Sequence, residues 1–138
     1  MFFKIIRVVF LLISSITMLR FALPKLQSMP VSVKSFTMFS EVLPINGSFF
    51  MYFTGFVELL IAVLLLASLF IRKNELKNIM QTIAYVLLFA TMLGAILIEQ
   101  FVRVSPVAFL MSIALILITI SISELSILSL KKADKDDK

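Results

Sequence analysis

Four blocks of apolar residues, at about 5–23, 49–71, 79–98 and 107–130, take up most of this 138-residue chain. At 1.5 Å per residue the second block is about 34 Å long as a helix, enough to cross a bilayer with some tilt. Soluble chains scatter their apolar residues in periodic patterns and stay closer to half apolar. Here 61% of residues are hydrophobic, mean hydropathy is +1.11, and the apolar residues lie in long runs, as bilayer spans require. The expected fold is all-α: a polytopic membrane four-helix bundle, with no length left for a separate soluble domain.

The first block follows Lys4 and contains Arg7. A cleaved signal peptide would have the same charged start and apolar middle, but no small-x-small site follows. The chain continues Arg20-Phe21-Ala22-Leu23-Pro24-Lys25, so a retained first helix is expected. Residues 24–48 form the one sizeable segment outside the spans, punctuated by Pro24, Pro30, Pro44 and Asn46-Gly47. Within it, Val33, Phe36, Phe39 and Leu43 recur at helical spacing over residues 31–42. A short amphipathic helix between helices 1 and 2 is expected there, on the bilayer surface or capping the bundle.

Ser105-Pro106 resembles a helix start, with serine as N-cap and proline at N1. The alternation over residues 120–123 could suit a strand in isolation, but a 24-residue apolar block favours helix. Residues 131–138 are a charged tail, expected to be unstructured.

Orientation follows from the basic residues. Lys4, Arg7, Arg72, Lys73, Lys77, Lys131, Lys132, Lys135 and Lys138 fall on one side; Arg20, Lys25, Lys34 and Arg103 fall on the other. The richer side is expected to be cytoplasmic. Both termini then lie in the cytoplasm, most simply at a bacterial cytoplasmic membrane, and residues 24–48 face outward.

The chain has no cysteine and no histidine. That removes disulfides, dithiol redox chemistry, thiolate or imidazole metal sites and His-ligated haem. No metal or catalytic constellation and no Gly-rich phosphate loop is present. The net charge of +5 serves topology, and no nucleic-acid partner is expected.

Ionisable residues inside spans are the default candidates for function. Glu58 lies ten residues into the second span, on a face shared with Met51, Thr54, Gly55, Ala62 and Leu65. The small residues let another backbone approach, so the carboxylate should point into the bundle. Arg20 is the expected partner, or Lys25 just beyond it, in a structural ion pair or a ligand or proton site. Glu124 lies about two turns from the cytoplasmic end of the fourth span, with Arg7 or a snorkelling Lys131 as partner. Two stripes of small or weakly polar residues are expected to pack helix on helix. One is Ser112, Thr119, Ser123 and Ser126; the other is Ala84, Thr91 and Ala95.

The order of several short motifs resembles the DoxX-like family of small four-helix membrane proteins. Lys25-Leu26 stands where the family has Lys-Leu after helix 1. Gly55-Phe56-Val57-Glu58-Leu59 matches its Gly-x-x-Glu-Leu, followed by Leu64-Leu65-Leu66. Met92-Leu93-Gly94-Ala95 is similar to its Met-Leu-x-Ala stretch. The resemblance covers roughly residues 5–130. The family's glycine before Lys-Leu is missing; Ala22-Leu23-Pro24 stands there. Redox-linked relatives often use cysteines, which this chain lacks.

The resemblance implies a range of roles. Some relatives are subunits of a thiosulfate:quinone oxidoreductase, others join membrane stress-response complexes, and distant ones are assembly chaperones or cargo receptors. Three functions follow as expectations. The first is a non-catalytic accessory or assembly subunit, bound to a membrane-protein partner or to its own copies. The second is a small-molecule or proton-coupled carrier using Glu58. The third is a membrane subunit of a quinone-linked oxidoreductase, with quinone the one cofactor implied.

Overall fold

The computed structural model describes residues 1–136 as an all-α protein of five helices. They are α1 Phe2–Leu26, α2 Pro30–Val42, α3 Gly47–Phe70, α4 Asn74–Phe101 and α5 Ala108–Asp136. The four long ones are apolar enough to cross a membrane, and the chain is an integral membrane protein. Large apolar side chains such as Ile16, Phe56, Val86 and Ile122 are exposed around the outside, as a lipid-facing surface requires.

Each of the four long helices has more residues than its apolar block. α4 starts at Asn74 rather than near residue 79, and α5 continues to Asp136. The expected unstructured tail is therefore helical through that residue, where Lys131 and Lys132 suit the negative end of the helix dipole; residues 137–138 lie outside the described residues.

α1 ends in a Schellman motif. The N–H of Met29 reaches the carbonyl of Pro24 at 2.9 Å and that of Ser28 reaches Lys25 at 3.3 Å. Ser28 takes φ 52°, the left-handed conformation this cap demands and glycine usually supplies. The Asn46 side chain caps α3, accepting from the Phe49 N–H at 3.0 Å.

The N-terminus of α5 departs from expectation. Ser105 and Pro106 are exposed and precede the helix. The Glu99 carboxylate of α4 instead accepts the Val107 N–H at 3.1 Å. A full charge at the positive end of a helix dipole is a stronger cap than a hydroxyl.

α3 packs along α1 on one side and α4 on the other, and α4 packs on α5. α1 and α5 barely touch. The core is apolar, centred on Met18, Ile61, Leu65, Leu88 and Leu117. α2 caps one end rather than lying free on a surface, because Phe36 and Phe39 are buried against Phe50, Met51, Ile98 and Val102. Gly47 permits this closeness: a Cβ there would lie 2.5 Å from the Phe36 carbonyl oxygen.

Two packing expectations split. Ala84 is buried, and Thr91 and Ala95 are half-buried. Ser112, Thr119, Ser123 and Ser126, however, all face outward. Each hydroxyl bonds the carbonyl four residues back, at 2.8 to 2.9 Å. A hydroxyl satisfied by its own helix can face lipid and needs no neighbour. Ser121 and Glu124 lie on the buried face instead.

Candidate functional site: a cavity beneath α2

Glu58 is 3% exposed, about 16 Å along α3 from its α2 end and so near mid-span. Its partner is Lys25, whose Nζ bonds Oε1. Gly55, one turn earlier, makes the pair possible. A Cβ there would sit 3.0 Å from the Lys25 Cβ and 3.2 Å from Leu26 Cγ. The end of α1 thus presses on the α3 backbone, which brings the lysine level with the carboxylate. Lys25 also lies 5.8 Å from the Phe36 ring centroid, a cation–π contact that ties α2 to the same place.

Arg20 is not the partner. It is exposed, and it makes no hydrogen bond or ion pair with another described residue. One helical turn and a half below Lys25, about 7.5 Å, it stands near the mid-depth of α3.

These groups line a cavity of about 600 Å³ in the α2 half of the bundle, within the size range of small-molecule sites. All five helices contribute, and most of the wall is apolar, with Phe53, Val57, Leu87 and Met111 among it. Arg20, Lys25 and Glu58 supply the deep polar groups. Glu99 and Arg103 supply the rim, paired at 2.9 Å, with the guanidinium 5.5 Å from the Phe39 ring centroid. The cavity lies where α1 and α5 draw apart, between residues 20–25 of one and 110–114 of the other. Gly94 also lines it, and a Cβ there would meet nothing within 4 Å.

Two polar atoms in this wall make no hydrogen bond among the described residues: Arg103 Nε, which is held only by its ion pair with Glu99, and one oxygen of Glu58. Glu58 Oε2 is buried and has no hydrogen-bond partner. A buried carboxylate oxygen left without a donor is costly, so this atom is poised to accept a hydrogen bond from whatever occupies the cavity.

A second polar cluster occupies the other half of the bundle. Arg7 Nε donates to Glu124 Oε2 at 2.7 Å. Its Nη2 reaches Gln81 Oε1 at 3.4 Å, and Gln81 Nε2 reaches Ser68 Oγ at 3.2 Å. Tyr85 is buried within electrostatic reach of both charges. Lys131 is exposed and forms no salt bridge with Glu124. Ten residues of α3, about 15 Å, separate Glu58 from Ser68. Met18, Ile61, Leu65 and Leu88, fully shut off from solvent, fill the layer between.

The structure therefore brings together Glu58 with Lys25 and Glu124 with Arg7, and leaves Arg20 at the cavity. Sequence reasoning missed Glu99, Arg103, Gln81 and Tyr85. The four-residue spacing of Glu99 and Arg103 was the one available signal, since it places opposite charges on one helix face. Comparison with known families, with characterised proteins and with solved structures gives no match to this chain.

Proposed function

We propose that this chain is a non-catalytic accessory subunit of a membrane complex, similar to DoxX-like proteins, whose working part is a binding site for a small amphipathic molecule beneath α2. The observation that carries this reading is the 600 Å³ cavity walled by all five helices, mostly apolar with five charged side chains in its lining. The absence of cysteine and histidine leaves the chain to bind and position rather than to transfer electrons or form thiol intermediates. The setting is a bacterial cytoplasmic membrane, with both termini inside and the α2 end outside.

A second reading, a proton-coupled carrier, draws on Glu58 because it lines the cavity with one oxygen unpaired. The apolar layer between the two polar clusters weighs against it, since a path would have to open through four fully buried side chains. A quinone-linked subunit is a special case of the leading reading, with a quinone as the amphipathic molecule and the redox groups on a partner.

The test is isolation from native membranes in mild detergent, with mass spectrometry of proteins, lipids and quinones together. A stoichiometric protein partner and one enriched amphiphile are expected. A chain that purifies alone and carries nothing would end the accessory reading. An enriched quinone beside an oxidoreductase would select the third.

A further inference from the structure

Two groups at the cavity lack partners, and they ask for opposite things. Glu58 Oε2 is a buried acceptor without a donor among the described residues. Arg20 is a cation near mid-span, where charge is expensive unless paired, and no described residue pairs with it. Their neighbours are already engaged: Lys25 by Glu58 Oε1, and Arg103 by Glu99. Counting Arg20, Lys25 and Arg103 against Glu58 and Glu99 leaves the wall with one excess positive charge. The rest of the wall is mostly apolar, and the cavity lies where α1 and α5 make little contact, a position that an apolar chain could reach from the bilayer.

We infer that the cavity takes a single-chain amphiphile whose head carries an anionic oxygen and, next to it, a hydroxyl. The anion pairs with Arg20 and the hydroxyl donates to Glu58 Oε2. Guanidinium is suited to phosphate and carboxylate oxygens because its N–H groups present a fixed fork. A hydroxyl gives the carboxylate a charge-assisted hydrogen bond that a bare hydrocarbon cannot. The tail lies against the phenylalanines and aliphatic side chains of the wall. A purely cationic head is disfavoured by Arg20 and Lys25, and a plain alkane leaves both polar groups unsatisfied. This inference rests on the cavity being a ligand site, and it names the ligand's chemistry.

The test uses the purified full-length chain in mild detergent and three probes sharing one palmitoyl chain. Lysophosphatidylglycerol has anion and hydroxyls, palmitate has the anion alone, and monopalmitoylglycerol has hydroxyls alone. Affinities come from competition native mass spectrometry. Lysophosphatidylglycerol is expected to bind about tenfold more tightly than either other probe, the worth of one charge-assisted hydrogen bond. This ranking needs no variant. In Arg20→Gln, an exposed position whose change spares the core, lysophosphatidylglycerol should fall to the level of monopalmitoylglycerol. Gly94→Leu, which fills open space, should weaken all three. Equal affinities for the three probes, or an Arg20→Gln ranking like that of the parent, would overturn the head assignment while Gly94→Leu still weakens binding. If Gly94→Leu changes nothing, the cavity is not the site, and the inference falls with it.

Discussion

Arg7 on α1 and Glu124 on α5 meet at 2.7 Å, and this pair ties the first helix to the last where their backbones barely approach. Glu124 is 2% exposed, so removing the arginine strands a buried charge. Arg7→Ala and Glu124→Ala should each cost about 3–5 kcal/mol. Glu124→Gln, which keeps an acceptor for Arg7, should cost less. Denaturant unfolding in mixed micelles measures the series. Equal stability across all three variants would remove the pair as the fastener of the bundle.

Lys25 and Glu58 should behave as a unit. Lys25→Met alone leaves a buried carboxylate unpaired and should cost about 3 kcal/mol, while Lys25→Met with Glu58→Leu should recover most of that. The double variant separates fold from function: it should fold, yet lose preference for a hydroxyl-bearing ligand. Thermal unfolding with and without ligand checks both parts. A double variant less stable than both singles would show that the two residues contribute independently rather than as a unit.

Two glycines give a paired prediction. Gly55→Ala forces the Lys25 and Leu26 side chains away from α3 and should cost about 1–2 kcal/mol. Gly94→Ala meets nothing within 4 Å and should gain a few tenths of a kcal/mol, up to about 1, from helix propensity. Melting temperatures of the two variants, measured side by side in one detergent, decide it. The reverse order would contradict the close approach of α1 to α3.

The chain has no native cysteine, so single introduced thiols report topology cleanly. Lys34 on α2 and Asn74 at the start of α4 are both exposed. With α2 outside, Lys34→Cys should react with a membrane-impermeant maleimide in intact cells and Asn74→Cys only after permeabilisation. The opposite pattern would invert the orientation drawn from the basic residues.

The spans were legible because hydropathy is a local property and the blocks carry it residue by residue. Glu58 was legible too, as a charge in an apolar run beside Gly55. Its partner was not: choosing Lys25 over Arg20 depends on how deep α1 sits against α3, and that is set by Gly55 touching Lys25 and Leu26. Glu99 falls in the gap between the third and fourth apolar blocks, and nothing local marks it as buried, because α2 folds over that end of α4 only in the tertiary structure. Gln81 and Tyr85 carry no charge to mark them, and their role appears only once Arg7, more than seventy positions away, is in place. The cavity was illegible for a related reason. It arises from two helices that do not pack, and apolar patterning records which faces are greasy, not which of them meet.

The apolar layer of Met18, Ile61, Leu65 and Leu88 has an electrical consequence. That layer and the mostly apolar cavity wall beside it are both weakly polarisable, so the membrane voltage falls across the two together. Were the α2 end outside, as proposed, an anion reaching Arg20 would travel part of the way into that field against a negative interior. Half the field at 100 mV is worth about 1 kcal/mol per elementary charge. An anionic ligand would therefore be held more weakly in an energised membrane than in a depolarised one, making occupancy of the site a readout of the energy state of the membrane around it.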